Sequence, residues 1–228
     1  MIALIPARGG SEGVPRKNLQ MVGAFTLLER AIRSASLSEV VNHTFVSSDD
    51  DEVLDVGRKN KVSLVRRTAG ASSSEATAEM VVDDFLASPE GAQLKQEDYL
   101  VYLQPTSPFR TAQHVCEALS RLQASDNSSI VSVKKVSEYP AKTVRVGSSQ
   151  IISPGNDWAG GSTNRQLIEA SYCPNGAIYA FSIAAYRAAG GFPIVGALAY
   201  EMGTISSIDI DTPEDLEIAR GVATYASI

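Results

Sequence analysis

One short segment constrains this chain more than any other. Ile2-Ala3-Leu4-Ile5-Pro6 is a continuous apolar run closed by proline. A strand with one wet face alternates apolar and polar residues. One with no polar face must be covered on both sides, as a central strand of a parallel sheet is. The rest of the chain supplies the covering layers. Apolar residues recur at helical spacing from Leu27 to Ala35, and helices are expected over Asp51–Asn60, Glu75–Leu86 and Ala112–Ala124. Strands are expected at Thr44–Val46, Val62–Val65, Tyr99–Leu103, Ser129–Val133, Ala177–Phe181 and Thr204–Ile210. Such alternation predicts an α/β fold: a Rossmann-like open, mostly parallel sheet with helices on both faces.

Length and composition suit this. With 228 residues, 44% of them apolar, the chain can bury a core as one large domain, 1–228. The rhythm breaks over residues 134–172, which carry Gly, Ser and only short β-like pieces (Thr143–Val146, Gln150–Ile152) and read as an insertion. Its apolar residues, Val136, Tyr139, Val144, Val146, Ile151, Ile152 and Trp158, suit burial against a second copy in a two-fold homodimer. A net charge of −6 with no basic run argues against nucleic acid. Cys116 and Cys173 make no disulfide framework or CxxC. The longest apolar stretch, Phe192–Tyr200, is too short to span a membrane, and the apolar start ends at Pro6, too early for a signal-peptide core. A soluble, cytoplasmic protein with no membrane partner is expected.

Chemistry concentrates at strand ends. Arg8 to Lys17 holds three glycines (Gly9, Gly10, Gly13) and three cations after the first strand, where open α/β sheets place ligands. Its backbone N–H groups could hold phosphates, although neither GxxxxGK[ST] nor GxGxxG occurs, and a mobile surface turn is the alternative. In Ser207-Ile208-Asp209-Ile210-Asp211, strand alternation would put both carboxylates on one face, about 6.5–7 Å apart. A hard divalent cation, magnesium (Mg2+), shared with substrate phosphates would relieve their repulsion; the alternative for Asp211 is capping the helix that starts at Thr212-Pro213. Ser47 to Glu52 is a second acidic cluster, where capping a helix is the simpler role. Leu103-Gln104-Pro105-Thr106-Ser107-Pro108 makes a rigid bend that presents Gln104 to the site or is a plain turn. His43 and His114 are isolated and fit neither zinc nor a Ser–His–Asp triad.

Four segments together resemble the CMP-sialic acid synthetases (acylneuraminate cytidylyltransferases): Ile5 to Asn18, Leu103 to Arg110, Pro174 to Tyr179 and Ser207 to Thr212, in the family's order. The resemblance implies a magnesium-dependent nucleotidyltransferase joining CTP to the anomeric hydroxyl of a nonulosonic 2-keto sugar acid, with release of pyrophosphate. It implies that Ala7, Arg8, Gly9, Gly10, Lys17, Asn18, Arg67 and Thr77 meet the nucleotide. Gln104, Lys142, Arg165 and Asn175 would meet the small sugar acid, Asp209 and Asp211 would hold the metal, and Arg8, Lys17 and Asp211 would be catalytic. It also implies that the insertion is a dimerisation element reaching the neighbouring subunit's site. Two departures stand out: Cys173 replaces an arginine usual before Pro174-Asn175-Gly176, and Arg67-Thr68 replaces an Arg-Pro pair. The competing readings are a sugar-nucleotide glycosyltransferase using Asp209-Ile210-Asp211 as DxD, and a nucleotide-binding protein without catalysis.

Overall fold

A computed structural model describes residues 1–11, 13–136, 144–147, 150–154 and 170–226, with the backbone alone for 144–147 and 150–154. In chain order the elements are β1 (Ile2–Pro6), β2 (Met21–Val22), β3 (Phe25–Thr26), α1 (Leu27–Ser36), β4 (His43–Ser48), α2 (Asp51–Lys59) and β5 (Ser63–Arg66). Then come α3 (Ala69–Ser72), α4 (Ala78–Ala87), β6 (Tyr99–Tyr102), α5 (Ala112–Gln123) and β7 (Ser129–Lys135). The last are β8 (Val144–Gly147), β9 (Gln150–Pro154), β10 (Tyr172–Ser182), α6 (Ile183–Ala189), β11 (Leu198–Glu201) and α7 (Pro213–Ala226).

Seven strands form one sheet in the order β11-β7-β10-β6-β1-β4-β5. β1 pairs parallel with β4 and β6, β4 with β5, and β11 with β7, while β10 runs antiparallel to both neighbours. The sheet is therefore mostly parallel, as expected. β1 shows why. Ala3 and Ile5 enter a core with Leu28, Ile32 and Leu119 from α1 and α5, while Leu4 enters another with Val82 and Phe85 from α4, and all three are fully buried. Burying each of the larger two contributes about 1.5–3 kcal/mol, and a polar residue at any of these positions would have no wet face to occupy.

The structure corrects two elements. The helix expected over Glu75–Leu86 is α4, which starts only where the Thr77 hydroxyl accepts from the Met80 N–H, and the short α3 before it was not expected. Thr204–Ile210 is not a strand. The edge strand is β11, drawn from the apolar stretch Phe192–Tyr200, and it ends where the Met202 N–H reaches the Val133 carbonyl. The chain then turns, with the Ser207 N–H on the Gly203 and Thr204 carbonyls and the Ile208 N–H on the Ile205 carbonyl, so the following residues join no strand ladder. Ile208 and Ile210 still point inward, into a third cluster with Val14, Leu27, Phe109 and Leu216. That cluster presses the glycine loop, the acidic segment and α7 together.

The stem of the expected insertion belongs to the sheet, since Tyr172 pairs with Lys135 and Cys173 with Lys134. β8 and β9 pair antiparallel as a separate two-stranded sheet, close to the pieces expected there. Tyr139 and Trp158 lie outside the described residues. Among the described residues, no helix is long and apolar enough to cross a membrane.

Candidate active site

The glycine loop leaves β1 and is pinned at four points. The Ala7 N–H donates to the Ser47 carbonyl, extending the β1–β4 ladder by one residue. The Gly9 N–H donates to Asp49 Oδ1 at 2.9 Å, and a Cβ on Gly9 would sit 2.6 Å from that of Asp50. Arg16 adopts the left-handed conformation (φ 52°) and pairs with Asp50 and Glu52. Buried Asn18 donates its amide to the Arg8 carbonyl at 2.9 Å, closing the loop on itself. The acidic cluster after β4 thus works in two ways: Asp50 caps α2 through the Val53 N–H, and Asp49 anchors the loop.

Lys17 carries the loop across to the acidic segment. Its Nζ donates to the Ile210 carbonyl at 2.8 Å and to Asp211 Oδ1 at 3.1 Å. The two segments touch so closely that a Cβ on Gly13 would lie 2.3 Å from the Asp211 carbonyl oxygen. Asp211 does not cap α7. Thr212 and Asp215 do that reciprocally, leaving the Asp211 carboxylate exposed and turned to Lys17.

Between these segments lies a cavity of about 490 Å³ at the C-terminal ends of β1 and β6. Arg8, Lys17, Asn18, Arg67, Thr77, Gln104, Asp209 and Asp211 all line it. Eight of the expected site residues therefore share one space. Ala7, Gly9 and Gly10 do not line it: Ala7 is buried in the sheet core, and the Gly9 N–H is already held by Asp49. Asn175 is absent from the lining too. Its Oδ1 accepts from the Ser132 hydroxyl and the Ala177 N–H, and its amide donates to the Ser207 hydroxyl, so the side chain ties β10 to its neighbours. Lys142 and Arg165 lie outside the described residues.

The electrostatics are uneven. Burial raises the pKa of Asp209 and Asp211 adds to the rise, against the Thr106 hydroxyl and Lys17, and Asp209 Oδ1 is buried without a hydrogen-bond partner. Burial lowers the pKa of Arg67, partly offset by Tyr102, Asp49 and Asp84. Its Nε donates to the Ser47 hydroxyl at 2.9 Å while Nη2 is buried and unpartnered. An unpaired buried donor costs about 1–3 kcal/mol, so this wall is incomplete until something polar fills it.

Sequence reasoning gave no role to the side chains of Tyr102, Thr106 and Ser11, which also line the cavity, as does Gly13 of the expected loop. Tyr102 had a signal: it stands two residues before Gln104, on the same strand face, and burial raises its phenol pKa strongly. Gly176, with φ +77°, holds β10 so close that a Cβ would meet Gln104 Oε1 at 2.7 Å and Asp209 Oδ2 at 3.6 Å.

Magnesium can be tested against these residues. Among those described, no group of three or more His, Cys, Asp or Glu is placed to hold a metal ion. Two carboxylates facing a polar cavity, one with an unpartnered oxygen, suit a cation that takes its other oxygens from water and phosphate. The residues fit magnesium and would not form an all-protein cage.

Comparison with known proteins places the chain. The sequence model of the family described as "Cytidylyltransferase" matches residues 2–147. The N-acylneuraminate cytidylyltransferase of Streptococcus agalactiae serotype V is 30% identical over 220 residues, covering 94% of this chain and 51% of that protein. That of Escherichia coli O18:K1:H7 is 31% identical over 228 residues, covering 96% and 51%. This chain spans about half the length of these curated relatives. In fold it resembles a CMP:2-keto-3-deoxy-manno-octonic acid synthetase complexed with CTP (TM-score 0.69, 16% identity, 99% of this chain and 98% of that one). It also resembles the 4-diphosphocytidyl-2C-methyl-D-erythritol synthase of Anaerococcus prevotii (TM-score 0.64, 16% identity, 98% and 97%).

Proposed function

The chain belongs to the cytidylyltransferase family, and we propose on that footing that it transfers a cytidylyl group from CTP to the anomeric hydroxyl of a nonulosonic 2-keto sugar acid. One observation carries the reading: a single cavity gathers three cations (Arg8, Lys17, Arg67), two carboxylates (Asp209, Asp211) and Gln104. A triphosphate needs the cations, and an attacking hydroxyl needs a carboxylate. In the transfer, the sugar oxygen forms a bond to the α-phosphorus, the bond to the β-phosphate oxygen breaks, and pyrophosphate leaves with the electron pair.

Arg8 and Lys17 would meet phosphate oxygens and stabilise the charge that builds there and on the leaving group. Lys17 already joins the glycine loop to the acidic segment, 3.1 Å from Asp211, which supports a place for it beside the α-phosphate. Arg67, with its free Nη2, and buried Asn18 would orient the cytosine end. Gln104 would hold the sugar acid, and the exposed Asp211 carboxylate would accept the hydroxyl proton. Asp209 and Asp211 would hold magnesium, which neutralises triphosphate charge when bound. The protein's share of the rate is then positioning and electrostatics.

The test is pyrophosphate release with CTP, Mg2+ and sialic, legionaminic, pseudaminic and octulosonic acids in turn. Release with one of them in excess over the no-acid control is expected; CTP binding without release across the panel overturns the reading. We also propose a homodimer built through residues 134–172, with Lys142 and Arg165 near the partner's sugar pocket. A fully active monomer of 24.2 kDa in sedimentation at micromolar concentration would overturn it.

A further inference from the structure

A guanidinium lies behind the sugar-acid side of the cavity, outside its lining. Arg110 follows the Gln104–Pro108 bend and is only 3% exposed. Its Nη1 donates to the Gln104 carbonyl and to the Ala177 carbonyl, both at 2.8 Å, and its Nε donates to the Ser34 hydroxyl at 3.1 Å. One side chain thus joins the end of β6, the irregular stretch of β10 and α1. Its Nη2 is buried without a partner, and Asp209 is the charge that favours its cationic form against burial.

The two carbonyls it holds belong to the residues that shape the acid side. Gln104 presents its amide to the cavity, and Ala177 follows Gly176, the residue on which Gln104 Oε1 and Asp209 Oδ2 converge. The bend is further tied to the acidic segment by the Ile210 N–H, which donates to the Thr106 carbonyl at 2.9 Å. A buried cation costs stability unless its donors are used. Here the two N–H groups of Nη1 diverge at a fixed angle in the guanidinium plane, and the Nε bond to Ser34 orients that plane, whereas the donors of an ammonium rotate freely on a single flexible stem. None of its bonds reaches the glycine loop or Arg67.

We propose that Arg110 is a positioning residue for the sugar acid: its guanidinium sets the spacing between the Gln104 bend and the Gly176–Ala177 backbone, and so the aim of the Gln104 amide. It touches no reacting atom. The inference rests on the cytidylyltransferase reading above.

The test is Arg110→Lys, which keeps the charge and loses the rigid donor plane together with the Nε bond to Ser34. The sugar-acid KM should rise about tenfold or more and kcat should fall, while the CTP dissociation constant, measured by calorimetry without the acid, stays within about twofold. Gly176→Ala pushes on the same amide, so the double variant should lose less than the product of the two single losses. If Arg110→Lys does not fold, Ser34→Ala, which removes only the Nε partner, must show the same split at smaller size. Equal loss of CTP and sugar-acid binding, or multiplicative losses in the double variant, would overturn the proposal. An active wild type with an unaffected Arg110→Lys overturns the positioning role alone; a wild type inactive with every acid overturns the reading it rests on.

Discussion

The sheet has a concavity at each end, and the larger one is at the wrong end for anion chemistry. At the N-terminal ends of β1, β4 and β6, a groove of about 730 Å³ is lined by Phe45 and Leu94 with His43, Glu90, Glu97 and Asp98, and no Lys or Arg lines it among the described residues. At the C-terminal ends the cavity is about 490 Å³ and gathers three cations, two carboxylates and the glycine loop. Volume alone would choose the first. Strand direction and charge choose the second, because loops leaving the C-terminal ends of parallel strands are free to turn backbone N–H groups and long cations toward one point. Substitutions at the two ends should therefore differ by orders of magnitude.

Asp209→Asn should give the largest effect. It removes an expected magnesium ligand, so kcat/KM should fall on the order of 10³-fold in pyrophosphate release. The variant should still fold, but it takes from buried Arg110 the charge that favours its cation, so it should melt at a lower temperature than the wild type in calorimetry. An active variant removes Asp209 from the site, and an unchanged or higher melting temperature removes its electrostatic support of Arg110.

Lys17→Ala comes next. The ammonium bridges the loop and the acidic segment, and its loss should cost about 3 kcal/mol of transition-state stabilisation, comparable to losing an oxyanion donor. An unchanged kcat/KM for CTP would take Lys17 out of the reaction. Gly13→Ala should act through the same contact at smaller size. Its Cβ would fall 2.3 Å from the Asp211 carbonyl, a backbone atom that cannot swing aside, so the loop must shift. A loss of about tenfold in kcat/KM with a lower melting temperature is expected; full activity would mean the walls need not touch.

The two walls also differed in how legible they were. Much of the cationic wall could be read because its chemistry is local: three glycines and three cations in ten residues after a buried strand need little tertiary context, although of those cations only Arg8 and Lys17 reach the cavity while Arg16 turns to Asp50 and Glu52. The acid wall could be read only in part. Alternation put Ile210 in the core and Asp209 and Asp211 toward the site, and the packing keeps that arrangement although the segment is not a strand. Tyr102 and Arg110 were hidden for a different reason. Tyr102 looks like one more apolar residue of a buried strand, and Arg110 like a surface charge after a turn. Only the approach of β10, more than sixty residues later, gives Arg110 the Ala177 carbonyl. Asn175 shows the reverse case: the family resemblance assigned it to the sugar acid, while its side chain fastens β10 to Ser132 and Ser207.

The smallest effect is expected at the other end of the sheet, and it asks whether charge or strand direction carries the contrast. Glu90 and Glu97 are exposed on the groove wall, outside the hydrogen-bonded core of the fold. Replacing both with lysine gives the groove two cations without touching β1, β4 or β6. Stability should change by no more than about 0.5 kcal/mol per site, as for ordinary surface substitutions. Activity should stay within about twofold, and calorimetry should still count one CTP per chain. The reason is geometric: the strands enter the sheet here, so no loop like Arg8 to Lys17 can turn its backbone donors into the groove, and two flexible ammonium groups hold a triphosphate weakly in water. A second CTP site in the Glu90→Lys, Glu97→Lys variant would show that charge by itself is sufficient, and strand direction would then lose its place in the argument.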